Sequence, residues 1–242
     1  MRKGGELEAY PGSMGTGIAK VFGLTAAAVG LNEKTLVSQG KKEGEDFYIV
    51  QIRQRSHASY YPGAKEIDIR VIFNREGKIL GAQIIGADGV DKRIDVIATV
   101  MALGGNIESL KKLELSYAPP YSSAKDPVNM VGFVAGNILS GMVKIRRPLE
   151  AKKLHEEGQI VMLDVTEDFE REQWAMEGSL HIPHGQVRAR LSELPKDKEI
   201  CIYCAVGVRA YNVARILNQN GFEHVTVCAG GRGFYRLASY GK

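Results

Sequence analysis

The feature that most constrains the fold is a cysteine, Cys204, that lies between a strand pattern and a helix pattern. Residues 199–203 form a short apolar run typical of a buried strand. Beyond Arg209, apolar residues recur at helical spacing: Ala210, Val213, Ala214 and Leu217. The N–H groups of the intervening loop and the positive end of the helix would point at the sulfur. This arrangement favours thiolate over thiol and predicts a nucleophilic cysteine.

Residues 204–209, the Cys204 loop, are suited to carrying sulfur as a persulfide. Backbone donors would hold the terminal sulfur, and Arg209 would add a fixed cation beside it. The cradle residues are Ala205, Val206, Gly207 and Val208. A cysteine phosphatase needs a loop that is one residue longer, to encircle a phosphate, so we rank phosphatase chemistry low. The alternative is a structural cysteine that packs as a small hydrophobic residue.

Strands and helices alternate through the second part of the chain. Predicted strands cover residues 160–164, 199–203 and 225–227, and predicted helices cover 167–173, 187–193, 209–219 and 230–240. This order predicts an α/β domain, with a parallel sheet flanked by helices. Sites in such sheets lie beyond the carboxyl ends of the strands. Asp164 ends one predicted strand and Cys204 follows another, so both lie at this edge of the sheet. We therefore expect Asp164 to brace the Cys204 loop by hydrogen bonding.

The first part of the chain has an α+β pattern. Strands are predicted over residues 17–21, 47–53, 67–73 and 78–86, and helices over 90–101 and 127–143. A charged segment with a proline, residues 146–153, follows. We therefore divide the chain into a first domain, 1–145, a linker, 146–153, and a second domain, 154–242. The alternative for 146–153 is a polar surface loop within one domain.

Length and composition exclude several classes of protein. The 242 residues suffice for two domains, and the net charge of +4 is mild. No basic run is interleaved with aromatic residues, so nucleic-acid binding is not expected. No apolar stretch approaches the roughly 20 residues that span a membrane, and residues 1–6 lack the apolar core of a signal peptide. Three cysteines do not suggest a disulfide framework, and we expect a reducing, cytoplasmic compartment.

Other motifs give weaker signals. Cys201 and Cys204 have C-x-x-C spacing, but this spacing places Cys201 inside a strand, where a core role is expected. Without a second such pair, no metal site is expected. His181 and His184 lack further ligands nearby in the sequence. The glycine-rich residues 12–17 follow no strand pattern, so they are a poor phosphate loop.

The second part resembles the rhodanese family. The shared segments are Leu163-Asp164-Val165, His181-Ile182-Pro183, residues 194–198, residues 204–209, Gly221-Phe222 and Gly230-Gly231. The resemblance implies a sulfurtransferase in which Cys204 is loaded by a sulfane-sulfur donor and unloaded by a thiol acceptor or cyanide. Thr166 stands where the family commonly has an arginine, and His184-Gly185 where it has Gly-Ala.

The first part resembles the C-terminal dimerisation domain of the coenzyme A-disulfide reductases and NADH-dependent persulfide reductases, which are FAD-dependent pyridine nucleotide-disulfide oxidoreductases. The shared segments are residues 18–22, 30–34, 56–64, 81–83, 89–98 and 117–130. The resemblance implies a homodimer. It also implies that Tyr60 or Tyr61, together with Tyr117, contact coenzyme A.

Members of that family carry FAD- and NADH-binding domains before this one, and the sequence shows no dinucleotide fingerprint. We therefore expect no cofactor to bind this chain alone, and FAD and NADH to act only through a partner flavoprotein. The first hypothesis is a rhodanese-type sulfurtransferase attached to a dimerisation domain. The second is a non-catalytic module that dimerises and docks a flavoprotein. The third is a remnant of a longer reductase.

Overall fold

The computed structural model describes Tyr10 and residues 12–240, with side chains as far as Arg236. The predicted features of residues 1–6 lie outside these residues. The described part contains two five-stranded sheets, one in each half of the chain. The predicted order, an α+β domain followed by an α/β domain, is confirmed.

The first sheet is antiparallel throughout, with strand order β1-β2-β5-β4-β3. Its strands are β1 Gly17–Val21, β2 Leu24–Gly30, β3 Tyr48–Arg55, β4 Glu66–Phe73 and β5 Ile79–Gly86. The helices of this half are α1 Glu33–Ser38, α2 Val90–Ala102, α3 Ile107–Lys112 and α4 Pro127–Leu139. One core cluster joins the apolar residues of the inner strands to those of α2, α3 and α4. A single layer of helices therefore covers one face of the sheet.

A buried ion pair joins α2 to α4. Asp126 caps α4 by accepting the Val128 N–H at 3.0 Å, and it also accepts Nη2 of Arg93 at 3.0 Å. Both side chains are 2% exposed. Burial raises the pKa of Asp126, but the Val128 N–H and the Arg93 guanidinium together hold it below its usual value. Removing one partner of such a pair typically costs about 3–5 kcal/mol of unfolding free energy.

The second sheet is parallel throughout, with strand order β6-β10-β9-β7-β8. Its strands are β6 Ile145–Arg146, β7 Ile160–Asp164, β8 Leu180–His181, β9 Glu199–Tyr203 and β10 Val225–Cys228. The helices are α5 Pro148–Glu156, α6 Asp168–Gln173, α7 Val208–Gln219 and α8 Gly231–Tyr240. Apolar residues of α7 pack in one core cluster, and those of α5 and α8 in another. Helices therefore flank the sheet, as predicted.

Two predicted segments differ from the structure, and several short elements were not predicted. The helix predicted over 127–143 ends at Leu139, and Gly141 adopts a left-handed φ of +70°. Two 3₁₀ helices, His184–Ala189 and Leu191–Glu193, replace the helix predicted over 187–193. The short elements β2, α1 and α3 were not predicted.

Residues 146–153, predicted as a linker, form parts of the second sheet and its helix layer. Strand β6 pairs with β10, and Pro148 begins α5. Proline is favoured in the first helical turn because the N–H that it lacks has no partner there. The proline therefore begins a helix inside the segment that was predicted as a linker.

The two halves contact each other directly. Arg147, between β6 and α5, forms ion pairs with Glu33, at 2.6 Å, and with Glu43 in the first half. Arg53 of β3 lies 5.0 Å from the ring centroid of Phe234 in α8. None of the described helices has the length and apolar character needed to cross a membrane.

Candidate active site

Cys204 follows the carboxyl end of β9, and the loop that it begins leads into α7, as the sequence predicted. The residue is 1% exposed, and its Sγ accepts the Gly207 N–H at 3.1 Å. Gly207 is the N-cap of α7 and has a φ of +117°, which a residue with a side chain rarely adopts. The positive end of the helix and one N–H therefore stabilise negative charge on the sulfur.

The rest of the predicted cradle surrounds this contact. Val206 and Val208 are 39% and 51% exposed, so the loop has an apolar outer rim. The structure brings the Gly207 N–H to the sulfur, while the N–H groups of Ala205, Val206 and Val208 stay predicted donors for a second sulfur atom.

Arg209 closes the loop and binds a carboxylate that sequence reasoning missed. Its Nη1 and Nη2 donate to Glu170 of α6 at 2.5 and 2.8 Å. The hydrogen bonds that Arg209 donates to Glu170 raise the pKa of Arg209 above its usual value, and the charge of Cys204 adds to this effect. Arg209 is thus held near the sulfur by a bidentate pair, and Glu170 neutralises its charge.

A second arginine, Arg232 of α8, fixes the start of the loop. Its backbone N–H donates to the Cys204 carbonyl at 2.8 Å, and Nη1 of its side chain donates to the Glu170 carbonyl at 3.0 Å. The neighbouring Gly231 has a φ of +60°, and a Cβ there would lie 2.3 Å from the Cys204 carbonyl oxygen. The double glycine at 230–231 was noted in the sequence, and it gave the only signal for this contact.

We had expected Asp164 to hydrogen-bond to the Cys204 loop, but its carboxylate binds other residues. Its carboxylate accepts the Thr166 N–H at 2.9 Å and hydroxyl at 2.6 Å, the Tyr203 hydroxyl at 2.9 Å, and Nη1 of Arg171 at 3.1 Å. Asp164 and Tyr203 are register partners on β7 and β9, so Asp164 lies beside the residue before Cys204. Its support for the loop therefore passes through Tyr203.

The other two cysteines, Cys201 and Cys228, are both buried. Cys201 is fully buried within β9, as predicted, and shares a core cluster with Cys228, whereas Cys204 belongs to a different cluster. Among the described residues, no group of three or more His, Cys, Asp or Glu side chains is placed to hold a metal ion. Residues 12–17 lead into a strand, β1, so they offer no helix N-terminus to a phosphate.

The three tyrosines predicted to contact coenzyme A form a separate surface in the first domain. The hydroxyls of Tyr60 and Tyr117 lie 2.8 Å apart, and this hydrogen bond raises the pKa of Tyr117. Tyr61 packs edge-on against His57, with centroids 5.8 Å apart. Among the described contacts, no hydrogen bond or ring contact joins these tyrosines to the Cys204 loop.

Family profiles match both halves of the chain. Residues 17–127 match the pyridine nucleotide-disulphide oxidoreductase dimerisation domain, and residues 147–233 match the rhodanese-like domain. The chain joins these two domains.

Curated relatives match about half of the chain. The coenzyme A disulfide reductase of Staphylococcus epidermidis is 36% identical over 127 residues, which are 52% of this chain and 28% of that protein. The coenzyme A disulfide reductase of Staphylococcus haemolyticus is 38% identical over 130 residues, covering 53% of this chain and 28% of that protein. The chain thus spans less than a third of the length of these relatives.

Two solved structures match both domains together. Reduced Bacillus anthracis CoADR-RHD is 46% identical, with a TM-score of 0.88 over 95% of this chain and 40% of that one. A NAD-dependent persulfide reductase from A. fulgidus is 38% identical, with a TM-score of 0.84 over 96% of this chain and 41% of that one. The arrangement of the dimerisation domain beside the rhodanese domain is therefore shared with longer proteins.

The close approach of Gly231 to the Cys204 carbonyl predicts that two glycine substitutions will lower the stability of the fold by different amounts. Gly231→Ala and Gly221→Ala both place a side chain on a left-handed backbone, at φ +60° and +79°, which costs about 1–2 kcal/mol. Of these two glycines, only Gly231 has no space for a Cβ, so Gly231→Ala should lose roughly 1–3 kcal/mol more of the unfolding free energy than Gly221→Ala. Urea unfolding measures both. Equal losses would contradict the close contact.

The Glu170–Arg209 pair predicts a dependence of stability on pH. Arg209 holds the pKa of Glu170 below its ordinary value of 4.5. The pair therefore stabilises the fold above that value, and this contribution is lost as pH falls through the folded pKa. The difference in unfolding free energy between the wild type and Glu170→Gln should be largest near pH 7 and shrink below about pH 4. Glu172→Gln, an exposed change on α6, is the control and should show no such trend.

Proposed function

We propose that the rhodanese domain is a sulfurtransferase that carries sulfane sulfur as a persulfide on Cys204. The observation that carries this proposal is the position of the sulfur, at the end of β9, where it accepts the Gly207 N–H at 3.1 Å. A thiolate there is stabilised by the helix terminus, and a persulfide anion would be stabilised in the same way. The match to the rhodanese-like profile supports this assignment.

The reaction takes two displacement steps. The Cys204 thiolate attacks the outer sulfur of thiosulfate, a new S–S bond forms, and the bond to the central sulfur breaks. Its electron pair leaves with sulfite. An acceptor thiolate or cyanide then attacks the terminal sulfur of the persulfide, and the Cys204 thiolate leaves. Charge is conserved in each step, so no external oxidant or reductant is needed.

The residues around the loop keep this chemistry in place. Arg209, which is paired with Glu170, positions the end of the loop. Asp164 is a positioning residue, because it acts on the loop through Tyr203. The loop N–H groups are the donors that would follow the negative charge as it moves from Cys204 to the added sulfur.

Cys204→Ser tests this function. Wild-type protein treated with thiosulfate should gain one sulfur atom by intact mass and transfer it to cyanide. The serine variant should do neither, because a hydroxyl is a poor nucleophile at its ordinary pKa. Cys201→Ser is the matched control and should still load. Loading that persists in Cys204→Ser would contradict the proposal.

A second candidate function is docking, in which the dimerisation domain forms a homodimer and binds a flavoprotein that supplies FAD and NADH. All five residues of the edge strand β1 are exposed. Phe22, at the tip of the β1–β2 hairpin, is 98% exposed. An exposed apolar edge strand is commonly covered by another chain. On this reading, the tyrosine surface of Tyr60, Tyr61 and Tyr117 contacts coenzyme A.

Phe22→Ser tests the docking function. Loss of this ring should weaken the complex with a flavoprotein that carries FAD- and NADH-binding domains, by about 1.5–3 kcal/mol if the ring is buried there. Light scattering with and without the flavoprotein measures how much of the complex forms. Leu103→Ser, which changes another exposed apolar side chain of the domain, is the control. Equal binding by the wild type and Phe22→Ser would argue against the hairpin as the docking surface.

A further inference from the structure

A cavity of about 430 Å³ lies where the two domains meet, beside the Cys204 loop. Ala205 and Val206, the two residues after Cys204, form part of its wall. Four arginines complete much of the lining: Arg53 and Arg55 from the dimerisation domain, and Arg232 and Arg236 from the rhodanese domain. The access to one side of the loop is thus shaped by both domains.

Arg53 fixes the two walls relative to each other. It donates to Asp68 at 2.7 and 2.6 Å, and its guanidinium lies over the Phe234 ring. A Cβ at Gly233 would lie 2.8 Å from Nη1 of Arg53, so the backbone of α8 approaches this side chain closely. The cavity is therefore preformed and needs no closure to bring its two walls together.

The charges of the lining are unequal. Arg53 is neutralised by Asp68, and Glu66 lies 3.3 Å from its Nη1. Arg55 and Arg232 instead donate to carbonyl oxygens, those of Ala64 and Glu170. Within the described part of the chain, neither of them nor Arg236 forms an ion pair. Glu66 adds one negative charge to the lining, so the charges of Arg55, Arg232 and Arg236 leave the opening with a net positive charge.

The loop itself has little charge to offer an anionic substrate. Arg209 is paired with Glu170, and this pair has no net charge. A dianion such as thiosulfate is repelled by the Cys204 thiolate when it approaches to react. Cations near the mouth of the loop would offset this repulsion and raise the local concentration of the anion.

We propose that this cavity binds the negatively charged group of the sulfur donor or acceptor, and that Arg55 of the dimerisation domain determines specificity in the reaction of the rhodanese domain. This inference rests on the proposed sulfurtransferase function. The ligand class is an anionic sulfur compound: thiosulfate, or a thiol with a sulfonate, carboxylate or phosphate group. Arg236 supplies the opposite, rhodanese-domain wall of the same site.

Steady-state sulfur transfer by Arg55→Ala and Arg236→Ala tests the proposal. With the anionic substrate varied, each variant should raise KM about three- to tenfold with little change in kcat, since the lost interaction is one of binding. Arg75→Ala, an exposed arginine away from the cavity, should match the wild type. Melting temperatures check that all variants fold.

Two acceptors of similar shape test whether the effect depends on charge. Comparison with thiosulfate tests whether the cavity binds the donor or the acceptor. Mercaptoethanesulfonate and mercaptoethanol differ in their charged group, and only the first should show a raised KM in the variants. A raised KM for thiosulfate alone would assign the cavity to the donor, and a raised KM for mercaptoethanesulfonate alone would assign it to the acceptor. The proposal would be overturned if the variants left KM unchanged for both thiosulfate and mercaptoethanesulfonate. It would also be overturned if they raised KM for mercaptoethanol as much as for mercaptoethanesulfonate.

Calorimetry on the Cys204→Ser protein separates this inference from the proposed function. Thiosulfate should bind without reacting, and Arg55→Ala in that background should weaken binding by a similar factor. Binding that depends on Arg55, in a protein whose wild type does not transfer sulfur, would support the anion site and refute the sulfurtransferase function. Transfer by the wild type, with binding that does not depend on Arg55, would refute the site alone.

Discussion

Glu170 holds the Cys204 loop at both ends. Its carboxylate binds Arg209, where the loop ends, and its carbonyl binds Arg232, whose own N–H binds the carbonyl of Cys204, where the loop begins. One residue of a six-residue helix therefore links three segments that are distant in the sequence. Because the Glu170–Arg209 pair is bidentate and only partly exposed, it fixes geometry as well as charge. The position of the sulfur, and the wall of the neighbouring cavity, both depend on this link.

The fold was predictable where apolar residues follow a clear period. Strands β4 and β9 and helix α2 have such patterns, and each was found close to its predicted limits. Strand β2 was missed because its central residues, Ala26, Ala27 and Ala28, have low strand propensity, and only pairing with β1 and β5 makes them extended. Strand β6 has two residues, and its existence depends on pairing with β10. Such elements are set by tertiary contacts that no local window contains.

The placement of the Cys204 loop was predictable from local sequence, but its supporting contacts were not. Cys204, the loop glycine and Arg209 lie within six consecutive residues, so the strand and helix patterns on either side indicated where they lie. Glu170 and Arg232 reach the loop from α6 and α8, and nothing in either segment indicates the other. The expected role of Asp164 changed for a related reason. Register places it opposite Tyr203 rather than opposite the loop, and the pairing of two strands in a sheet is not visible in either strand alone.

The contacts between the domains bear on how sulfur can leave Cys204. Arg147 ties the start of α5 to Glu33 and Glu43, and Arg53 lies against Gly233 and Phe234 at the other side. With two such anchors, the rhodanese domain has no free tether on which to swing toward a distant reaction centre. Under the proposed function, a persulfide on Cys204 would stay at this place in the fold, and the acceptor would have to diffuse to the loop to take the sulfur.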